Sequence, residues 1–321
     1  MGAKNVSQKK NKEQKQIEYI YDLINIKSKY IILKIVDNLP KKKFLEIIKL
    51  NKKIQNKLNM NINDYKKYSE NFSSIELEII PIKKKFDKFI NNKNNESYYH
   101  IFFNDNDKKE IKRNYLKKGD KVQKIKIIID YRIISFEKLF LDCKYIESIH
   151  FTKFKRNNIF NMKSMFDSCE SLKELDLSNF NTENVKYMDR MFCACISLKK
   201  LNLEKFSTDN VIDMQGMFMF CRSLEELKIS NFSNNNLLYM SYIFAECNSL
   251  EELDLSNFNT NNVIDMNSLF LNCTSLERLN ISNFNTDKVQ LMGGIFYGCS
   301  NELKTRIKLQ KIFKDDPEMI Y

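Results

Sequence analysis

The stretch SNFNTNNVIDMNSLFLNCTSLERLNISNFNT, residues 256–286, decides the fold, and it begins and ends on the same five letters. Its cysteine belongs to a series that recurs every 26 residues. The series comprises Cys143, Cys169, Cys195, Cys221, Cys247, Cys273 and Cys299. A phenylalanine three residues before each cysteine keeps the same step, as does a methionine seven residues before all but the first. Self-similarity at a fixed period predicts a tandem repeat architecture.

Each repeat combines two apolar periods. The alternation of Leu253 and Leu255 is the period of a strand, whereas Val263, Met266 and Phe270 are spaced like one face of a helix. We therefore predict one short strand, a bend and a short helix in each unit. Because one unit cannot bury its apolar side alone, we expect the units to stack as a right-handed solenoid with a parallel sheet, an α/β fold.

The letters M-F-x-x-C-x-S-L-x-x-L-x-L-S-N-F-x-T resemble the BspA-like branch of the leucine-rich repeat family, over roughly half of the chain. The resemblance implies a curved domain that binds macromolecules on its exposed strand face and has no catalytic activity. Members of this branch are often microbial surface adhesins, which gives one alternative function.

The outward letters of each predicted strand are where we expect a protein partner to bind. They are polar, carry both signs of charge and include no aromatic residue. These candidate partner-binding residues are Glu174, Asp176, Lys200, Asn202, Glu226, Lys228, Glu252, Asp254, Arg278 and Asn280. Because binding hot spots are enriched in Trp, Tyr and Arg, this composition also fits a solvated scaffold that binds elsewhere.

The cysteines are predicted to be structural. Stacked units bring equivalent residues about 5 Å apart with parallel side chains, whereas a disulfide needs Cβ atoms about 3.5–4.5 Å apart and a particular torsion. We therefore predict a column of free, buried thiols. Cys193 alone is out of step, and one Cys-x-Cys in a chain with two histidines is a weak metal signal. No metal and no cofactor are expected.

The sequence offers no arrangement suited to catalysis. His100 and His150 are the only histidines and lie 50 residues apart, so neither is placed beside a nucleophile by the sequence. The six glycines form neither a P-loop nor a dinucleotide-binding fingerprint. Carboxylate pairs such as Glu251 and Glu252 recur with the repeat, which favours a solvated ridge. We expect a non-enzymatic protein that acts by binding another protein.

The first part of the chain differs in charge and in pattern. Residues 1–130 hold 31 Lys and Arg against 16 Asp and Glu, whereas the remainder holds 22 against 25. The lysines are scattered along apparent helices instead of forming a stripe, so we expect a solvated helical face and no nucleic-acid partner. The pattern predicts a basic, disordered tail over residues 1–16 and a mainly helical domain over residues 17–116.

Two segments of that domain, IVDNLP at residues 35–40 and FLEIIKLNKKI at residues 44–54, resemble an F-box spanning residues 28–58. The resemblance implies a substrate adaptor of a cullin-type ubiquitin ligase. The Skp-type linker subunit would then be bound by a short set of residues, Ile35, Leu39, Pro40 and Leu45. A generic helical cap and spacer is the alternative.

The remaining boundaries follow from the repeat. Residues 117–142 are predicted to cap it, with a strand at 122–130 pairing onto the first unit. The repeats are predicted over 143–301 and a capping helix over 302–321. No apolar run reaches the length of a membrane span and no secretory signal is visible, which predicts a cytoplasmic protein. We also expect a monomer. Gly2 is a candidate for myristoylation and would be the route to a membrane.

Overall fold

The computed structural model describes residue 26, residues 52–58 and residues 70–309. The chain forms two compact units, Met1–Ser73 and Ser74–Tyr321. In the first unit the structure describes helix α1, Lys52–Leu58, with Ile54 and Leu58 buried. The four residues assigned to linker-subunit binding, Ile35, Leu39, Pro40 and Leu45, lie outside the described residues, and so does Gly2.

The second unit begins with antiparallel strands. They are β1, Ile75–Pro81; β2, Tyr99–Phe103, which follows a 3-10 turn at Glu96–Tyr98; and β3, Ile125–Ile129. Each strand buries alternate apolar side chains, which is the period of a half-buried strand. The prediction of a mainly helical domain over residues 17–116 is therefore wrong for the C-terminal part of that range. There the alternation of isoleucine with polar residues specifies strands.

Strand β1 joins the antiparallel strands to the first repeat. Strand β4, Ile146–Lys153, pairs antiparallel with β1 and parallel with β5, Glu174–Asp176, giving a sheet in the order β2-β3-β1-β4-β5. The prediction that residues 122–130 pair onto the first repeat is wrong, because β3 lies on the far side of β1. Both strands alternate apolar residues, so alternation alone does not decide which one is adjacent to β4.

The later repeats each contribute one three-residue strand, as the Leu-x-Leu alternation predicts. The strands are β6, Lys200–Asn202; β7, Glu226–Lys228; β8, Glu252–Asp254; and β9, Arg278–Asn280. Strand β6 pairs in parallel with β7, and β8 with β9, each with a register of one repeat. Among residues 70–309, no backbone hydrogen bond joins β7 to β8.

The segment predicted as a short helix is a succession of tight turns. The N–H of Met165 donates to the carbonyl of Met162 (3.2 Å), with Ser164 at φ 49° between them. This i to i+3 bond with positive φ at the third residue is a type II turn. A second turn links Cys169 to Phe166 (3.1 Å). Apolar steps of three and four residues fit such turns as well as a helix, so the spacing alone did not distinguish them.

The turns also join one repeat to the next. In the turn segment, alternate N–H groups donate to the following repeat, as Phe166 does to the carbonyl of Met191 (2.8 Å). One position of the segment forms parallel bridges through every repeat, linking Ser135, Asn161, Tyr187, Asp213, Tyr239, Asp265 and Leu291. The second unit is therefore a strand-rich repeat array with few helices, which corrects the α/β assignment.

The core of the array consists of columns of identical side chains. Phe192, Phe218 and Phe244 are fully buried, and their rings stack at centroid distances of 5.6 Å between neighbours. Such offset stacks add to the free energy gained by burying the rings. Helix α2, Asn301–Leu309, follows the last repeat and buries Leu303 and Ile307. It begins one residue before the predicted capping helix, whose later residues are not described.

Candidate interaction surfaces of the repeat array

The cysteine column is built from hydrogen bonds that link neighbouring repeats. The Sγ atom of Cys221 donates to the carbonyl of Phe192 in the preceding repeat (3.1 Å), and five other cysteines make the equivalent bond. These are Cys169, Cys195, Cys247, Cys273 and Cys299, at 3.1 to 3.3 Å. Burial raises the pKa of the Cys299 thiol to about 11, so this S–H remains protonated and can donate at neutral pH.

The described thiols are free and buried. Cys193, outside the column, is 1% exposed, and burial raises its pKa to about 12. A thiol with a raised pKa is a poor nucleophile and a poor metal ligand. Within residues 70–309 no cluster of three His, Cys, Asp or Glu side chains has the geometry of a metal site. The same part of the chain contains no helix long and apolar enough to cross a membrane.

The predicted partner-binding residues occupy the first and third positions of β5 to β9. Lys200, Asn202, Glu252 and Asp254 are exposed, and they flank inward-facing leucines such as Leu253. This strand face, defined as the first and third residues of β5 to β9, brings together side chains that are far apart in sequence. The repeat register places equivalent residues on adjacent strands.

Most charges of the strand face are neutralised within the face. Lys200 Nζ lies 2.9 Å from Glu226 Oε2, and Lys228 Nζ lies 3.4 Å from Glu226 Oε1. The hydrogen bond from Lys200 lowers the pKa of Glu226. Arg278 Nη2 and Glu252 Oε2 form a third pair at 2.8 Å. The pairs of Lys200 with Glu226 and of Arg278 with Glu252 cross between strands and specify register, and the contribution of all three pairs to stability at an exposed site is small.

A groove lies at the C-terminal end of the strand face. It has a volume of about 590 Å³ and is bordered by β7, β8, β9 and α2. Leu253, Leu279 and Ile307 supply apolar lining, while Lys228 and Asp254 are among the charged residues at its border. The sequence did not predict this groove, because it depends on where α2 packs after the last repeat.

Aromatic residues are exposed on another surface, the turn face, defined as the bridged position of each repeat and its flanking turn residues. Tyr187 is 38% exposed, Tyr239 36% and Leu291 53%, all at the bridged position. Tyr242, in the neighbouring turn, is 41% exposed. The candidate binding residues predicted from the sequence lie only on strands, and none of them is on this surface. The signal available was the tyrosine recurring at positions 187 and 239, two repeats apart.

These features define a protein made of tandem 26-residue units that presents repeated side chains on two surfaces. The chain belongs to the family described as "Mycoplasma protein of unknown function, DUF285", whose model matches residues 134–252 and 219–311. Together the two matches cover more than half of the chain and overlap as tandem repeats do. The search of curated proteins and the search of solved structures both gave no match.

Proposed function

We propose that the protein is a non-enzymatic scaffold that binds another protein through the strand face of a leucine-rich-repeat-type solenoid. The repeats match a family of unknown function, so the support for a binding role comes from the surfaces of the array. The charged residues that differ between repeats lie on these surfaces, while the repeated Phe, Met and Cys form the core. A fixed frame with variable outward positions is the general means by which repeat proteins bind partners.

The groove at the end of the strand face carries this proposal. Its volume of about 590 Å³ is of the size that accommodates a side-chain cluster or a short peptide segment. Leu253 and Leu279 offer apolar contact in its lining, and Lys228 and Asp254 offer charges of both signs to fix orientation. An apolar centre with a polar rim is the usual anatomy of a protein interface.

Proximity labelling with the full chain in its native cell tests the proposal. The groove variant reverses two charges, Lys228→Glu with Asp254→Arg. The matched control, Lys118→Glu with Glu183→Arg, makes the same charge changes at exposed residues that do not line the groove. We expect proteins labelled by the wild type and by the control to be lost from the groove variant. An unchanged set of labelled proteins in the groove variant would show that the groove does not bind the partner.

A further inference from the structure

Four residues of the turn face alternate in type along the array. Tyr187, Asp213, Tyr239 and Asp265 occupy the bridged position in four consecutive repeats, and each forms a parallel bridge with the next. Neighbouring bridged segments are spaced by about 4.8 Å, so equivalent side chains two repeats apart are separated by about 10 Å. The column therefore offers aromatic rings and carboxylates in strict alternation.

The two rings are uncovered. Tyr187 and Tyr239 are more than one-third exposed, and within residues 70–309 no cationic group lies over either ring. Elsewhere in the same unit the chain does cover tyrosine in this way, since the Arg132 guanidinium lies 4.9 Å from the Tyr98 ring centroid. The rings of the column are thus free to accept a cation from outside.

The two carboxylates form no ion pair within residues 70–309, although the charge of Lys163 acts to lower the pKa of Asp213. Asp213 accepts a hydrogen bond from the N–H of Gln215 (2.9 Å), and Asp265 accepts one from the Gln215 side chain (3.2 Å). Among the described residues neither forms an ion pair, whereas Asp189 nearby is paired with Lys163 at 2.6 Å. Burial, together with the charges of Asp189 and Asp265, raises the pKa of Asp213.

The surroundings of Asp213 and Asp265 are acidic although the chain as a whole is basic. Three consecutive turn segments, residues 212–216, 238–242 and 264–268, contain these two carboxylates and no Lys or Arg, whereas Lys186 and Arg190 flank Tyr187 in the segment before them. A net negative strip with an exposed ring is complementary to a positively charged segment. An anionic or purely apolar partner would leave these carboxylates buried without compensation.

We propose that this column binds an extended segment of a partner protein that carries Lys or Arg at every third residue. Its cations would lie over the rings of Tyr187 and Tyr239 and pair with the carboxylates of Asp213 and Asp265. The spacing supports this partner, because an extended polyproline II segment advances about 9.3 Å in three residues and returns to the same side. That advance matches the separation of Asp213 and Asp265.

The test uses a nine-residue synthetic peptide with arginine at every third position and serine or proline between, titrated into the full chain by calorimetry. A second peptide has glutamine in place of each arginine. The protein variants are Asp213→Asn with Asp265→Asn, and Tyr187→Ala with Tyr239→Ala. Asp107→Asn, which makes one of the same changes at an exposed residue between β2 and β3, outside both faces, is the control. Tyr187→Phe with Tyr239→Phe retains both rings.

We expect the arginine peptide to bind the wild type, the Asp107 control and the phenylalanine variant with equal affinity. The Asp213 and Asp265 variant and the alanine variant should each bind it roughly fivefold or more weakly, and binding to the wild type should weaken as salt is added. If circular dichroism shows that the alanine variant does not fold, the affinity of the Asp213 and Asp265 variant alone tests the proposal. Equal affinity of the glutamine peptide, or undiminished binding by the asparagine variant, overturns the proposal.

Discussion

The strand face and the turn face of the array are held together differently. On the strand side the described strands pair in twos, β6 with β7 and β8 with β9, and outward charges pair across them. On the turn side backbone bridges run unbroken from Ser135 to Leu291 and cover the columns of stacked phenylalanine and hydrogen-bonded cysteine. Because the turn side joins one repeat to the next, the residues of the strand face are not needed for this purpose and can vary between repeats.

The largest expected effect tests the turn side directly. Phe218→Ala removes a fully buried ring that stacks on two neighbours, so it should lower the free energy of unfolding by about 3–5 kcal/mol. Leu227→Ala, at a partly buried position of β7, should cost about 1–2 kcal/mol. Denaturant unfolding of the full chain measures both. A larger loss at Leu227 would reverse the comparison.

The cysteine column gives the next effect. Cys221→Ser places a more polar and smaller group at a fully buried site, and we expect a loss of about 1–3 kcal/mol in the free energy of unfolding. Cys193→Ser is the matched control, because Cys193 is buried outside the column and does not bond to a phenylalanine carbonyl. It should cost less. A harmless substitution at Cys221 would show that the column contributes little to the turn side.

The sequence predicted what depends on the repeat step alone. Identical residues 26 positions apart form columns once the units stack, so the repeat step was enough to predict the short strands and the buried thiols. The turn segment did not follow, because Arg190 and Tyr242 adopt positive φ, a conformation that such side chains rarely take. Gly216 and Gly294, at the equivalent position of two other repeats, were the residue-level signal, because glycine adopts positive φ readily. The groove and the exposure of Tyr187 depend on packing between distant segments and needed the structure.

One repeat is irregular at the bend between its strand and its turn segment, and a substitution that restores the common residue there should stabilise the array. Thr260 donates its hydroxyl to the carbonyl of Asn285 (2.9 Å), whereas the equivalent Asn234 is buried and its side-chain amide has no hydrogen-bond partner. Asn234→Thr should satisfy the site and raise the free energy of unfolding by about 1 kcal/mol.

Denaturant unfolding is again the measurement, with Thr260→Asn as the reverse control, which should lose a similar amount. Asn234 has a φ of 52°, so the threonine variant requires the backbone to adopt the conformation of the other repeats. Lower stability in Asn234→Thr would mean that the neighbouring turns, and not the asparagine, impose the positive φ.

A smaller gain is expected on the turn face itself. The pKa of Asp213 is raised by burial and by neighbouring carboxylates, so its contribution to stability is present when it is protonated and is lost as pH rises through the folded pKa. Asp213→Asn should therefore raise the Tm at pH 7. Below the ordinary aspartate pKa of 3.8 both forms are neutral and the gain should vanish. An equal gain at both pH values would contradict a charge effect.

The smallest effect is expected on the strand face, and it is the sharpest test of the comparison. Lys200→Ala removes a fully exposed ion-pair partner of Glu226. Breaking such a pair changes the free energy of unfolding little, because water solvates both side chains whether or not they are paired. We expect no measurable change in the unfolding midpoint, while Phe218→Ala in the same experiment shifts it strongly. If Lys200→Ala lowered the midpoint, the strand-face pairs would be holding the repeats together. The need for stability would then explain which charged residues lie on the strand face. The variation of these residues between repeats would no longer indicate that they bind a partner.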